Sequence, residues 1–212
     1  MDLYSYWRST ASYRVRIALE LKGLEYNIVP VHLVKDGGEQ HAEGFRNLNP
    51  NGLVPLLIDG DANISQSYAI INYLEKTYPE TKLYTGITLI DADIESMAQS
   101  IACDIHPLNN LRVLKYLSGE VGVSDTQRDD WYQHWVAEGF KAIETRLQNS
   151  QTTYSLTESP SVADIYLVAQ VYNANRFNCD MRSYPRINEI NELCLSLPEF
   201  QKALPENQPD AE

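Results

Sequence analysis

The pattern of hydrophobic and polar positions predicts short strands in the first part of the chain. Residues 2–6 and 26–34 have alternating or continuous apolar positions typical of strands, and residues 13–22 between them repeat at helical spacing. Gly23 is expected to end that helix. Because strand, helix and strand follow one another within about thirty residues, they predict a βαβ unit with a parallel pair and a right-handed crossover.

The next segments predict a hairpin and a second helix. "LVPLLIDGDANI" contains two short strands around Asp59-Gly60, which is a hairpin turn signal. "SQSYAIINYLEKTY" has the pattern of an amphipathic helix, with Ser65 as its expected N-cap. Residues 1–78 are therefore predicted to form β-α-β, a loop with a short helix, and then β-β-α.

Long helical periodicities dominate the chain after "PETKLYTG". They occupy residues 88–117, 125–149, 162–177 and 185–195. Ser161 and Asp164 have the spacing of a capping box, so Asp164 is interpreted as a folding element. The tail "PENQPDAE" is expected to be frayed. The fold class is thus α/β followed by all-α, with domains at 1–80 and 88–212 joined by a linker at 81–87.

The charge balance limits the possible partners. The chain of 212 residues has 17 Lys and Arg against 29 Asp and Glu, a net charge of −12. Such a field repels nucleic-acid phosphates and anionic lipid head groups, so neither partner is expected. No signal peptide and no apolar stretch of about 20 residues is visible, which predicts a cytoplasmic protein. A site for a small anion must then collect arginines locally.

The cysteines and histidines do not predict a metal site. Cys103, Cys179 and Cys194 are widely spaced and form no CxxC pair. His32, His41, His106 and His134 form no HxxxH or HExxH pattern. We expect reduced thiols that mostly serve packing, and no bound metal.

The stretch "YSYWRSTASYRVRIAL" places three hydroxyls where a strand passes into a helix. Ser9, Thr10 and Ser12 lie where free helix N–H groups and the positive end of the helix dipole point. A single serine there is explained by N-capping alone, but three hydroxyls exceed what a cap needs. Arg14 and Arg16, further along, are expected to face acids on the helix exterior or at a subunit interface.

Five ordered motifs give the chain its resemblance to a known family. "YWRSTASYRVRIAL", "LNPNGLVPLL", "ISQSYAIINYLE", "CDIHPLNNLRVL" and "SVADIYLVAQVYNANRF" match zeta-class glutathione transferase patterns in order and spacing, from Leu3 to about Pro209. The resemblance implies a thioredoxin-like N-terminal domain and a glutathione-transferase-type helical C-terminal domain. Many zeta-class members have cysteine where this chain has Ala11, so a thiol role at that turn is absent here.

The resemblance implies glutathione as cofactor and assigns residues to it. Ser9 is the first choice to hold the thiolate, with Thr10 as the rival. Lowering a thiol pKa by about 2 from its ordinary ~8.5 takes about 2.7 kcal/mol, which one hydroxyl bond of ~1.5–3 kcal/mol and the helix end of ~0.3–1 kcal/mol can supply. The remaining glutathione-binding positions implied are Gln40 for the glycyl end, Val54 with a cis Pro55 for the cysteinyl part, Gln66 and Ser67 for the γ-glutamyl end, and Asp104 and His106. From sequence alone a trans Pro55 is the commoner alternative, and His106 before Pro107 equally suits a helix kink.

The resemblance also implies a dicarboxylate substrate and an isomerisation. A cis alkene between carbonyls cannot rotate until its π bond is broken, which thiolate addition, rotation and elimination achieve. Arginines placed at the developing negative charge would stabilise it, and surface ion pairing is the alternative role for any one of them. Arg8 is the strongest candidate, as a catalytic and substrate-binding residue, and the other implied substrate positions are Asn110, Arg112 and Arg176.

The resemblance thus implies a homodimer with maleylacetoacetate isomerase activity in tyrosine breakdown. Maleylpyruvate as substrate is the nearest alternative, since it is also a small dicarboxylate. Conjugation or dehalogenation of small α-halo acids is a second alternative, because it uses the same thiolate. A catalytically silent scaffold is the third, and the joint presence of Ser9, Pro55, Gln66 and Ser67 argues against it.

Overall fold

Four strands and ten α-helices form along residues Met1 to Glu212, all of which the computed structural model describes. The strands are β1 (Asp2–Ser5), β2 (Asn27–Pro30), β3 (Leu56–Asp59) and β4 (Ala62–Ser65). The helices are α1 (Thr10–Leu21), α2 (Glu43–Leu48), α3 (Ser67–Thr77), α4 (Thr88–Gln99), α5 (His106–Asn109), α6 (Leu111–Tyr116), α7 (Asp125–Gln148), α8 (Val162–Arg176), α9 (Pro185–Leu195) and α10 (Pro198–Ala203). Residues 1–83 pack with residues 195–212 into one unit, and residues 84–194 form a second, helical unit.

The sheet of the first unit has the order β2-β1-β3-β4. Strands β1 and β2 pair in parallel, with Leu3 opposite Ile28, and α1 connects them. Strand β3 pairs antiparallel with both β1 and β4. The predicted βαβ unit and hairpin are therefore confirmed, and the order β-α-β, short helix, β-β-α is the one the sequence predicts.

Helix α1 is buried on nearly all sides. It begins earlier than its apolar pattern predicts, because the Ser9 side chain accepts the N–H of Ser12 at 3.2 Å and caps the first turn. Residues 12–19 are all buried. Gly23 ends the helix as predicted: it has φ of +65°, and its N–H donates to the Glu20 carbonyl at 3.0 Å.

The start of α3 differs from the prediction. Ser65 is the last residue of β4, paired with Leu56, and so cannot serve as the cap. Gln66 stands at the N-cap position instead, with φ of +73° and no side-chain capping bond. The prediction of Ser65 as N-cap is wrong, because the strand continues one residue further than the helical pattern suggests.

The helix predicted over 88–117 is interrupted in the second unit. Residues Ser100–Ile105 and Leu117–Val121 form π-helical turns, and the backbone leaves the helix at Asn110, where ψ is 159°. Pro107 has no N–H to continue the ladder of hydrogen bonds, which accounts for a break in this region. The structure contains no helix long and apolar enough to span a membrane.

Helix α8 is the buried centre of the second unit. The Asp164 carboxylate, fully buried, accepts the N–H of Ser155 at 2.9 Å, the N–H of Ser161 at 2.8 Å and the Ser161 hydroxyl at 2.9 Å. Burial raises the pKa of Asp164, and the bonds from Ser155 and Ser161 oppose that rise. The capping box is confirmed, and Asp164 is a folding element.

The C-terminal segment, residues 195–212, differs from the sequence-based expectations in two ways. It belongs to the first unit and not to the helical region predicted over 88–212, because α10 packs against α1. The tail at residues 205–212 is also not frayed, since Pro205 and Gln208 are buried. Arg14 and Arg16 are buried as well, so their expected place on the helix exterior is wrong.

We predict that Gly139→Ala destabilises the protein. A Cβ at Gly139 in α7 would lie well inside van der Waals contact of the buried Ile105 side chain. The free energy of unfolding, measured by denaturant titration, is expected to fall by about 1–3 kcal/mol.

Gly119→Ala is the matched control, since nothing lies within 4 Å of a Cβ at Gly119. It is expected to leave stability unchanged or to raise it by up to about 1 kcal/mol. Adding Ile105→Val to Gly139→Ala should restore part of the loss. Equal effects of the two glycine substitutions would contradict the close-packing explanation.

Candidate active site

Three turns of the first unit meet at one edge of the sheet. Tyr4 of β1 lies opposite Leu56 of β3, and Leu56 lies opposite Ser65 of β4. The end of β1, the start of β3 and the end of β4 are therefore neighbours. The segments beyond them, which carry Ser9, Pro55 and Gln66, come together at this edge. The register thus gathers three of the sequence-predicted site positions.

The turn between β1 and α1 presents hydroxyls and a helix N-terminus. The Ser9 Oγ accepts the Ser12 N–H, and this use of one lone pair leaves its own proton available to donate. Thr10, the first residue of α1, is buried. No acid lies in the first turn of α1, so the positive end of its dipole is not neutralised within the helix. Ser9 can therefore cap the helix and stabilise an anion at the same time.

Arg8 adjoins this turn and is exposed. Its guanidinium carbon lies 4.0 Å from the centroid of the Trp7 ring, and the Trp7 side chain is itself buried. This stacking fixes the direction of the arginine without using its N–H donors. Arg8 can thus present those donors to a carboxylate or to developing negative charge.

The Val54-Pro55 peptide bond is cis, as predicted. Val54 is half-buried, and its backbone N–H and C=O form no hydrogen bond within the protein. A free backbone donor and acceptor next to the start of β3 can pair with an extended peptide ligand.

Gln66 and Ser67 open α3 at the same edge. Gln66 is exposed and has φ of +73° and ψ of 120°, a backbone conformation that residues other than glycine rarely adopt. Ser67 is buried, and no acid lies in the first turn of α3. The helix N-terminus is therefore open to a carboxylate.

Gln40 lies in the loop that follows β2. Its side chain is buried, and Nε2 lies 3.4 Å from the Leu33 carbonyl and 3.1 Å from His41 Nε2. The Oε1 atom is buried and accepts no hydrogen bond within the protein. Such an orphaned polar atom is the mark of a site completed by a ligand or water.

The remaining predicted positions lie in the second unit. Asp104 is exposed in the first π-helical turn, His106 begins α5, and Asn110 caps α6 by accepting the Val113 N–H at 3.2 Å. Asp104, His106 and Asn110 do not lie on one continuous helix, because the helix breaks at Asn110. His106 follows the first π-helical turn directly, and its contact with glutathione stays a prediction.

The two helical-unit arginines are both exposed. Arg112 lies in α6, and Arg176 is the last residue of α8, with its guanidinium carbon 5.2 Å from the Phe177 ring centroid. Asp104 also lines a cavity of about 440 Å³ with Trp135, Glu138 and Arg146.

The sequence analysis placed Arg16 wrongly and did not find Asp210, and both residues contact the turn. Arg16 is fully buried and donates to the Trp7 carbonyl at 3.1 Å, and Asp210 accepts the Trp7 N–H at 3.0 Å. The long apolar run of α1 could have indicated that Arg16 is buried. No local signal marked Asp210, because its partner is more than two hundred residues away.

We predict that Gln66→Gly is more stable than Gln66→Ala by about 1 kcal/mol in the free energy of unfolding. Glycine adopts the positive φ of position 66 without strain, whereas alanine at that position is strained as Gln66 is. The control pair is Lys76→Gly and Lys76→Ala at an exposed position within α3. There the order should reverse, with glycine less stable by about 1 kcal/mol. The same order at both positions would contradict backbone strain at Gln66.

Comparisons with known proteins identify the family of this chain. Residues 1–76 match the glutathione S-transferase N-terminal domain family. A probable maleylacetoacetate isomerase of Vibrio cholerae is 47% identical over 99% of this chain and 97% of its own. A solved zeta-class maleyl pyruvate isomerase, a bacterial glutathione S-transferase, has a TM-score of 0.97 at 40% identity, with both chains fully covered.

A third relative adds ligands to the comparison. The crystal structure of maleylacetoacetate isomerase from Methylobacterium extorquens AM1, with bound malonate and glutathione, has a TM-score of 0.94 at 36% identity, with both chains fully covered. The identity extends over the whole chain, and the folds agree in both units. The chain therefore belongs to the zeta class of glutathione transferases, the family that includes maleylacetoacetate and maleylpyruvate isomerases.

Proposed function

We propose that the protein is a glutathione-dependent cis-trans isomerase that converts maleylacetoacetate to fumarylacetoacetate. One observation carries the proposal: the hydroxyl turn of α1, the free backbone at Val54 and the open N-terminus of α3 meet at one sheet edge. This combination suits a peptide that has both a thiolate and a carboxylate. The names of the full-length relatives support the same activity.

The donors at this edge suit the parts of glutathione. The backbone of Val54 would pair with the cysteinyl residue, and Gln66 and Ser67 would bind the γ-glutamyl carboxylate at the α3 N-terminus. Gln40, whose Oε1 lacks a partner in the protein, would bind the glycyl end. Asp104 and His106 are proposed as further contacts.

Ser9 is proposed to hold the thiolate, and Thr10 is the alternative residue. A hydrogen bond from Ser9 to a charged sulfur is worth ~1.5–3 kcal/mol, and the end of α1 adds ~0.3–1 kcal/mol. Together these match the ~2.7 kcal/mol needed to lower a thiol pKa by about 2. The uncompensated α1 dipole and the free Ser9 proton support this role, which needs no separate base.

Bound glutathione supplies a nucleophilic sulfur whose addition to the cis double bond permits rotation and whose departure leaves the trans product. The protein's part is to hold the sulfur and to stabilise negative charge on the substrate. Arg8 is placed next to Ser9 in sequence and keeps its donors free, which supports a role at the developing charge. Arg112, Arg176 and Asn110 are proposed to bind the substrate carboxylates and carbonyls, and the exposure of both arginines is compatible with this.

Maleylpyruvate is the second candidate substrate. The relative with a TM-score of 0.97 is a maleyl pyruvate isomerase, and the chain is 41% identical to the maleylpyruvate isomerase of a Ralstonia species. Both compounds are small cis dicarboxylates, so the same arginines suit either one.

We further propose a cytoplasmic homodimer that acts in tyrosine breakdown. The cysteines are free thiols, which is typical of reducing compartments. Ile87 and Leu89 expose apolar side chains that a second copy could cover. Light scattering of the purified protein tests the dimer.

The experiment that tests the function compares the two substrates directly. Isomerisation of maleylacetoacetate and of maleylpyruvate is followed with and without glutathione. A glutathione-dependent rate that strongly favours maleylacetoacetate supports the proposal, and the reverse preference selects the maleylpyruvate alternative. No rate on either, with glutathione bound and with conjugation of an α-halo acid, would replace isomerisation by transferase activity.

We predict that Ser9→Ala lowers kcat about 10- to 100-fold, because the lost bond to the thiolate is worth ~1.5–3 kcal/mol. The pKa of bound glutathione, read from the ultraviolet absorbance of the thiolate, should rise in parallel. Thr10→Val is the comparison variant and should leave that pKa nearly unchanged. A rise in Thr10→Val but not in Ser9→Ala would transfer the role to Thr10.

A further inference from the structure

The backbone of Trp7 is held at both its N–H and its C=O by residues distant in the sequence. Its N–H donates to Asp210 Oδ2 at 3.0 Å, and its C=O accepts from Arg16 Nη2 at 3.1 Å. Two residues later the chain reaches Ser9, and the Ser9 N–H donates to the Tyr6 carbonyl at 2.9 Å. The bonds at Trp7 therefore lie inside the turn that carries the proposed catalytic groups.

Arg16 fixes the C-terminal segment to the same turn. Its side chain is fully buried, and it donates to the Ser5 Oγ at 3.1 Å and to the Ala203 carbonyl at 3.0 Å. One guanidinium thus joins the end of β1, the Trp7 carbonyl and the end of α10. Asp210 approaches from the residues that follow α10.

The path from α10 to Asp210 is itself held in place. Gln208 is buried, and its Nε2 donates to the carbonyls of Lys202 at 3.0 Å and Leu204 at 2.8 Å. The carboxylate of Asp210 is therefore delivered by an ordered segment and does not depend on a mobile tail. Its Oδ1 atom is buried as well, without a hydrogen bond in the protein.

We propose that Asp210 is a positioning residue for the active-site turn. By holding the Trp7 N–H, it fixes the ring on which Arg8 stacks and the direction in which Ser9 presents its hydroxyl. The proposal rests on the proposed function, because it assigns Asp210 to the same reaction. It extends that function to residues 195–212, the C-terminal segment of the first unit, whose role is to position the turn and not to contact the reacting atoms.

The direction of the effect follows from the geometry. Without Asp210 the Trp7 N–H loses its acceptor, and the Tyr6–Trp7 peptide plane, whose carbonyl accepts the Ser9 N–H, can rotate and so displace Arg8 and Ser9. Small displacements of positioned groups cost up to about 100-fold in rate. We expect Asp210→Ala to lower kcat about 10- to 100-fold.

The test combines two variants with a control. Asp210→Ala removes the acceptor, whereas Asp210→Asn keeps an oxygen that can accept the Trp7 N–H and should restore most of the rate. Glu206→Gln, at an exposed acid of the same segment, should leave kcat unchanged. Melting temperatures show whether each variant is folded.

Two readouts separate positioning from a purely structural role. Hydrogen exchange of the Trp7 amide should accelerate in Asp210→Ala and stay slow in Asp210→Asn. The pKa of bound glutathione should rise in Asp210→Ala, since Ser9 no longer points at the sulfur. KM for the dicarboxylate is measured separately from kcat. An increase in KM in Asp210→Ala shows that Arg8 is displaced as well.

The proposal is overturned if Asp210→Ala speeds Trp7 exchange but changes neither kcat nor the thiol pKa, or if it lowers only the melting temperature. It is also overturned if Asp210→Asn is as defective as Asp210→Ala, because the hydrogen bond would then not be the cause. Absence of isomerase activity in the unaltered protein would instead refute the proposed function. Exchange at Trp7 and the thiol pKa would still test the positioning role.

Discussion

The pairing register of β1, β3 and β4 is the constraint on which the site depends. Leu56 of β3 pairs with Tyr4 of β1 on one side and with Ser65 of β4 on the other. This pairing fixes the positions of the turns at Ser9, Pro55 and Gln66. A slip of one residue would turn the buried faces of Leu3 and Leu57 to the opposite side of the sheet. Because Leu56 and Leu57 are both buried on opposite faces of β3, the slip would exchange their surroundings, and the cost of that repacking protects the active-site turns as well as the core.

The buried guanidinium of Arg16 shows how the core and the site are linked. A fully buried charge is costly unless its donors are satisfied. Arg16 donates to one hydroxyl and two carbonyls, and its guanidinium carbon lies 5.4 Å from the Tyr13 ring centroid. Those acceptors come from β1, from the active-site turn and from α10, so satisfying the charge requires all three to assemble. The C-terminal segment is thus a structural part of the N-terminal unit.

Local pattern was enough to predict the βαβ unit, the hairpin of β3 and β4, the helices α7, α8 and α9, and the capping box at Asp164. These features depend on spacing within a few residues, which a sequence displays directly. The predicted cap at Ser65 failed because strand pairing with Leu56 overrides the local preference of serine for caps. The expected frayed tail failed because Asp210 finds its partner at the other end of the chain. A contact between residues so far apart in the sequence produces no local periodicity of apolar and polar positions.

The site must also attract an anion to a strongly acidic protein. With a net charge of −12, the average field repels glutathione and a dicarboxylate alike. Helices α4, α7 and α8 have an acid in the first turn, which neutralises the positive end of each helix, whereas α1 and α3 have none. The two helices that open at the sheet edge therefore keep their N-terminal potential for a ligand. Local placement of these dipoles and of Arg8, more than total charge, decides that an anion can bind there.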